Sequence, residues 1–163
     1  MFILLGLGAM LVYMVMASQF ESLIDPFLIM FSVPFAFVGV LFFLYFTGTT
    51  LNLLSLIGMI LLVGIVVNNA IVLVDYTNIL RKRGYSLADA IEKAGAQRLR
   101  PVLITTLTTV FGMIPLAISK GEGSEIWKPL GITVIGGLFV STLITLVLVP
   151  VLYSLVNKDY KKA

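Results

Sequence analysis

From Leu51 to Val74 the chain has no charged residue and no proline, and inside that run stand two adjacent amides, Asn68 and Asn69. A helix crosses the hydrocarbon core of a bilayer with about 20 residues, so this run is long enough to span. An amide pair at that depth is costly unless partners satisfy it. Gly64, Asn68, Val72 and Asp75 follow at helical spacing and share one face. A small residue, an amide and a carboxylate on one stripe predict a helix laid against other helices. Two readings stay open at this point. Asn68 and Asn69 can be interhelical glue, or they can belong to a transport or proton pathway.

Four further stretches can span, giving Met1–Ala17, Pro26–Phe46, Leu51–Val74, Pro101–Ser119 and Ile132–Val156. Apolar residues make up 60% of the chain and charged residues 12%, which places it with polytopic membrane proteins. The expected fold is all-α: a single membrane domain over 1–163 with five transmembrane helices and a short interfacial helix. The first stretch lacks the basic flank and cleavage site of a secretory signal. It also starts without an interfacial anchor, so the chain is expected to be a piece of a longer protein. A short protein with a frayed first helix is the alternative.

The chain has neither Cys nor His. This removes disulfide and thiolate chemistry, the commonest metal ligand and the commonest general base. No HExxH or GxSxG occurs, and no span carries a carboxylate pair, so intramembrane hydrolysis lacks a basis. The glycine-rich Gly121–Glu125 follows no strand, which argues against a phosphate loop. No catalytic residue, metal site, cofactor or nucleic-acid partner is expected.

The charges set an expected orientation. Arg81, Lys82, Arg83, Lys93, Arg98 and Arg100 lie between the third and fourth spans, and Lys158, Lys161 and Lys162 follow the fifth. Only Lys120 and Lys128 lie between the fourth and fifth. Basic loops face the cytoplasm, so the N-terminus is expected outside and the C-terminus inside. Within the larger basic loop, Ser86 precedes an amphipathic stretch with Asp89 three residues on, a variant of the capping box. Leu87, Ile91 and Ala94 share one face, which predicts a short helix at the membrane surface. Pro101 then suits the first turn of the fourth span. Gly136 and Gly137, like Gly6 and Gly8, would allow close helix approach.

In the fourth span Thr105, Thr108, Thr109 and Gly112 share a face, and Arg98 lies seven residues before Thr105. Should the helix run back through Pro101, Arg98 and Thr105 would oppose Asn68 and Asp75 and form a polar track. Most of these threonines can simply bond their own backbone. A proton relay needs a titrating group, and Asp75 is the one carboxylate expected inside or near the end of a span. A complete relay is therefore not expected within this chain.

Several motifs in order resemble the C-terminal membrane half of resistance-nodulation-division (RND) efflux transporters of the hydrophobe/amphiphile branch. They are QFES with DPF at 19–27, VGIVVNNAIVLVDYTN at 63–78, RLRPVLITT at 98–106, GMIPLAI at 112–118 and LVPVLYSL at 148–155. The resemblance implies helices eight to twelve of a twelve-helix protomer in the bacterial inner membrane. It also implies a proton-driven antiporter working as a homotrimer with a periplasmic adaptor and an outer-membrane channel. Its relay lysine falls on Asn68, its arginine on Arg98 and its threonine on Thr105. With asparagine in place of the lysine, the N-terminal half of the same transporter would have to supply every titrating carboxylate. Two other readings are a helix-bundle scaffold that docks to another subunit, and a lipid-sensing domain.

Overall fold

The structure, a computed structural model, describes residues 2–156, with side chains from Gly6 onward. Lys158, Lys161 and Lys162, which contribute to the expected orientation, lie outside the described residues. Short turns join six helices among the described residues: α1 (Phe2–Phe20), α2 (Ile24–Met30), α3 (Val33–Phe46), α4 (Leu53–Lys82), α5 (Leu87–Ala117) and α6 (Ser124–Val156). Four stretches are long and apolar enough to cross a membrane: Ile24–Phe46 (α2 and α3 together), α4, α5 and α6. α1 (Phe2–Phe20) is apolar as well and coincides with the first stretch expected from the sequence to span.

The Pro26–Phe46 span is broken at Phe31–Ser32. Pro34 has no N–H to continue the ladder, and its ring crowds the preceding turn. Ser32 covers the break by donating its hydroxyl to the Ile29 carbonyl at 2.7 Å. α4 begins with a reciprocal cap: the Asn52 side chain accepts from the Ser55 amide at 2.9 Å, and the Ser55 hydroxyl accepts from the Asn52 amide at 2.8 Å. It ends at Arg83, after which Gly84 takes a φ of +91° that L side chains rarely adopt.

α5 departs from expectation in a useful way. Ser86 caps it as the spacing predicts, accepting from the Asp89 amide at 3.2 Å. The amphipathic stretch behind it, however, is no separate interfacial helix. It is the first turns of a 31-residue helix that runs through Pro101 into the membrane stretch. Pro101 therefore lies inside a helix instead of opening one. Leu87, Ala90 and Ala94 are buried in the bundle's own core beside Leu73, Val74 and Leu80 of α4. Packing on α4 takes the apolar face that would otherwise lie on the membrane surface.

α6 is the hub, packing along α3, α4 and α5, while α1 makes its main contact with α2. The core has two parts. One, toward the basic α4–α5 turn, gathers Leu28, Ile29, Val67, Ala70, Leu73, Val149 and Tyr153. The other gathers Ala36, Val40, Leu44, Leu62, Val66, Ile132 and Leu138. Close approach at the hub depends on missing side chains. A Cβ on Gly136 would stand 2.4 Å from Phe43, and one on Gly137 would stand 2.1 Å from Leu62. Gly39 of α3 meets the Gly136 carbonyl in the same way. Gly6, Gly8 and Gly64 instead face open space, so no helix among the described residues uses them for packing.

Candidate functional site

The two adjacent asparagines point in different directions. Successive residues of an α-helix are rotated by about 100°, since a turn takes 3.6 residues. Val66, Val67 and Ala70 are buried, which leaves Asn68 exposed on the outside of α4 while Asn69 turns partly inward toward α6. Gly64 and Asp75 are exposed with Asn68, and Val72 is half-buried. The stripe read from the sequence thus exists as one face. Among the described residues it faces away from the other helices.

α5 repeats the pattern. Thr105, Thr108 and Gly112 are exposed and Thr109 is half-buried. The three threonine hydroxyls are satisfied locally. Thr105 donates to the Val102 carbonyl at 2.9 Å, Thr108 to Ile104 at 2.8 Å and Thr109 to Thr105 at 2.9 Å. Arg98 is half-buried, and its guanidinium lies 4.8 Å from the centroid of the Tyr76 ring, within cation–π range. Its Nε is buried without a hydrogen-bond partner. Tyr76, on α4, also donates to Gln97 on α5. The arginine is therefore held by an aromatic ring of α4, while Asp75 remains at the surface.

Two polar groupings escape the sequence reading. Thr106, adjacent to the residue singled out there, turns inward and shares a hydrogen bond with Thr142 of α6 at 3.1 Å. The second grouping corrects the expectation that Asp75 is the one carboxylate inside or near a span. Asp25 is buried in the first turn of α2, with 7% of its surface exposed. Its Oδ2 accepts from Asn78 Nδ2 of α4 at 2.8 Å, and the Oδ1 of the same amide accepts from the Tyr153 hydroxyl of α6. One amide thus satisfies a carboxylate and a phenol from two other helices. A carboxylate in a helix's first turn is favoured by the local dipole, which helps it tolerate burial. Asp-Pro ahead of an apolar run is a sequence cue for such a turn. Asn78, 53 residues away, carries no local sign of the partnership.

Chemically, the outward faces of α4 and α5 offer an amide, a carboxylate and hydroxyls without partners from other helices among the described residues. Groups so placed can accept and donate hydrogen bonds to a further helix layer. The described residues hold no cluster of His, Cys, Asp and Glu able to bind a metal ion.

The chain matches the AcrB/AcrD/AcrF family model over residues 1–157. It is 46% identical over 153 residues to the swarming motility protein SwrC of Bacillus subtilis, covering 93% of this chain and 14% of that protein. It is 46% identical over 143 residues to the multidrug resistance protein MdtC of Serratia proteamaculans, covering 87% of this chain and 14% of that protein. Among solved structures, a heavy metal efflux pump superposes with a TM-score of 0.82 at 38% identity, over 91% of this chain and 14% of the pump. The chain therefore corresponds to a small part of the length of each relative.

Proposed function

We propose a function from one premise: the chain belongs to the AcrB/AcrD/AcrF family, and it is a membrane-helix portion of an RND transporter. In this reading it forms part of the proton-coupling membrane domain of a pump that exports drugs or other amphiphiles. The observation that carries the reading is the outward polar stripe on α4. Gly64, Asn68 and Asp75 are exposed on α4, a helix long and apolar enough to cross a membrane, and lipid tails offer an exposed amide no hydrogen bonds. Such a stripe suits a second layer of helices, supplied by the N-terminal half of the same transporter, with titrating carboxylates of its own. Asn68 then serves as their hydrogen-bond partner, Arg98 as a fixed positive charge and Thr105 as a nearby hydroxyl. Asn69 supports the helix from within, and Asp75 lies about 10 Å farther along α4 at 1.5 Å per residue.

The relatives support a coupling role over substrate selection. Proteins named for multidrug resistance, swarming motility and heavy metal efflux share this one segment at 38–46% identity. A region shared across such different names suits machinery common to all of them. The proposal extends to helices eight to twelve of a homotrimer in the inner membrane, joined by a periplasmic adaptor and an outer-membrane channel. The N-terminus lies outside and the C-terminus in the cytoplasm, as nine of the eleven basic residues favour.

The test is Asn68→Leu in the intact transporter, with export, trimer yield and expression measured together. Loss of export at normal yield is the expected result. Full export at normal yield would refute the coupling role and leave Asn68 as glue. Loss of assembly instead of export would favour a docking scaffold. For the orientation, single cysteines at Ser86 and Ser124 are labelled from each side. Ser86 should react from the cytoplasm alone, and a cytoplasm-only Ser124 would reverse the topology.

A further inference from the structure

Where α4, α5 and α6 cross, a small cavity is lined by Asn69, Ser141, Thr142 and Thr145, with Leu73 and Val102 beside them. Its polar groups have unused hydrogen-bonding capacity. Thr145 is 4% exposed and its Oγ1 has no partner. Thr133 of α6 is likewise buried without a partner, whereas Thr77, Thr108 and Thr109 each donate to the carbonyl four residues back. Thr145 has the same option and does not take it. Thr142 and Thr106 share one hydrogen bond, which uses one of their two O–H donors. Ser141 donates to the Leu138 carbonyl at 3.2 Å and keeps its lone pairs free. The Asn69 amide brings one acceptor and two donors to the same space.

A water centre has about 10 Å³ available in the cavity. That is close to the room one buried water needs, and such a water requires two to four polar partners. The lining is neutral and holds no carboxylate, so it offers little to a divalent cation. We propose that one ordered water occupies this site, accepting from Thr145 and bridging to Asn69. It joins α4 to α6 beside the Thr106–Thr142 pair. The water fixes Asn69 inward and so holds the rotation of α4 that turns Asn68 outward. This inference stands on the inner face of the bundle and does not depend on proton coupling at the outer face.

The test uses the transporter as its gene encodes it, in lipid nanodiscs, at a resolution that shows waters. Density within hydrogen-bonding distance of both Thr145 Oγ1 and the Asn69 amide is expected. Thr145→Val is close in volume and removes only the hydroxyl's capacity. It should abolish that density and lower the melting temperature, whereas Thr145→Ser should keep the density. A dry cavity in the native protein overturns the proposal. So does a melting temperature that holds or rises in Thr145→Val, because deleting a partnerless hydroxyl should not destabilise. Asn69→Leu serves as the second variant. A melting temperature equal to the native value there would also overturn the bridge.

Discussion

Helices α5 and α6 contain 31 and 33 residues, and each carries two internal prolines. Their surroundings differ sharply. Over the most apolar 18 residues, 56% of α6 is buried and only 11% of α5. α6 gives up side chains to gain neighbours: Gly131, Gly136 and Gly137 admit α5, α3 and α4 to within a distance that a methyl group would block. α5 offers one inner row, with Ala94, Val102 and Thr106 buried, and presents its remaining surface outward. The outer face of α4 resembles that of α5, while its inner face resembles α6. Packing in lipid gains little from burying apolar groups, since the lipid tails are apolar too, so shape and hydrogen bonds decide which faces meet. Gly131, Gly136 and Gly137 mark faces already used by this chain, whereas Gly64 stands with Asn68 on a face that meets nothing among the described residues. Exposed polar residues without interhelical partners, such as Asn68 and Asp75, mark faces left for something else.

The largest expected contrast lies between two glycines. Gly137→Leu drives a side chain into Leu62 and Val40, and it should cost at least about 3 kcal/mol, the upper range for overpacking. Gly64→Leu meets nothing among the described residues and should leave the stability of the isolated bundle unchanged. Thermal unfolding of both variants in detergent checks the pair. Equal destabilisation would erase the distinction between inner and outer faces.

A smaller effect is expected at the polar junction of α2, α4 and α6. Asn78→Leu removes the amide that serves both Asp25 and Tyr153, and it should cost roughly 1–3 kcal/mol as the buried carboxylate loses that donor. Asn68→Leu, ten residues earlier on the outer face, should leave isolated-bundle stability near that of the parent. Destabilisation by Asn68→Leu as large as that by Asn78→Leu would mean that the outer stripe is covered even in the lone chain.

The smallest contrast separates neighbouring threonines. Thr106→Val breaks the bond to Thr142 and should cost about 0.6 kcal/mol, the usual scale for interhelical hydrogen bonds in membranes. Thr109→Val removes a bond to its own helix backbone and should move the unfolding curve by less. A double-mutant cycle of Thr106→Val with Thr142→Val sharpens the comparison. An absent coupling term would remove the pair as a link between α5 and α6.

Much of the outline was legible beforehand. Ser86 with Asp89 announces the start of α5, and the uncharged runs announce where α3, α4 and α6 cross. The stripe of Gly64, Asn68 and Asp75 is a true common face. Its direction was not legible. Pro101 misleads because proline favours a first turn, yet a helix can run through it when neighbours accommodate the freed carbonyl. Thr105 and Thr106 look alike as letters, and only the burial of Val102 shows that Thr106 turns inward. Asp25 reads as the end of a loop because its partner Asn78 lies 53 residues away in the chain.

What the sequence by itself determined is that this chain forms membrane helices, and roughly where. In lipid each backbone amide must be satisfied inside its own segment, so apolar length dictates helix. What only the tertiary structure decided is which side of each helix is inside. In a soluble helix that side is written as an apolar stripe against a polar one. Here both the lipid and the core accept Leu, Val and Ile, so the periodic signal is nearly flat. The choice falls to steric fits such as Gly137 against Leu62 and to distant pairs such as Asn78 with Asp25, which exist only once the helices have met.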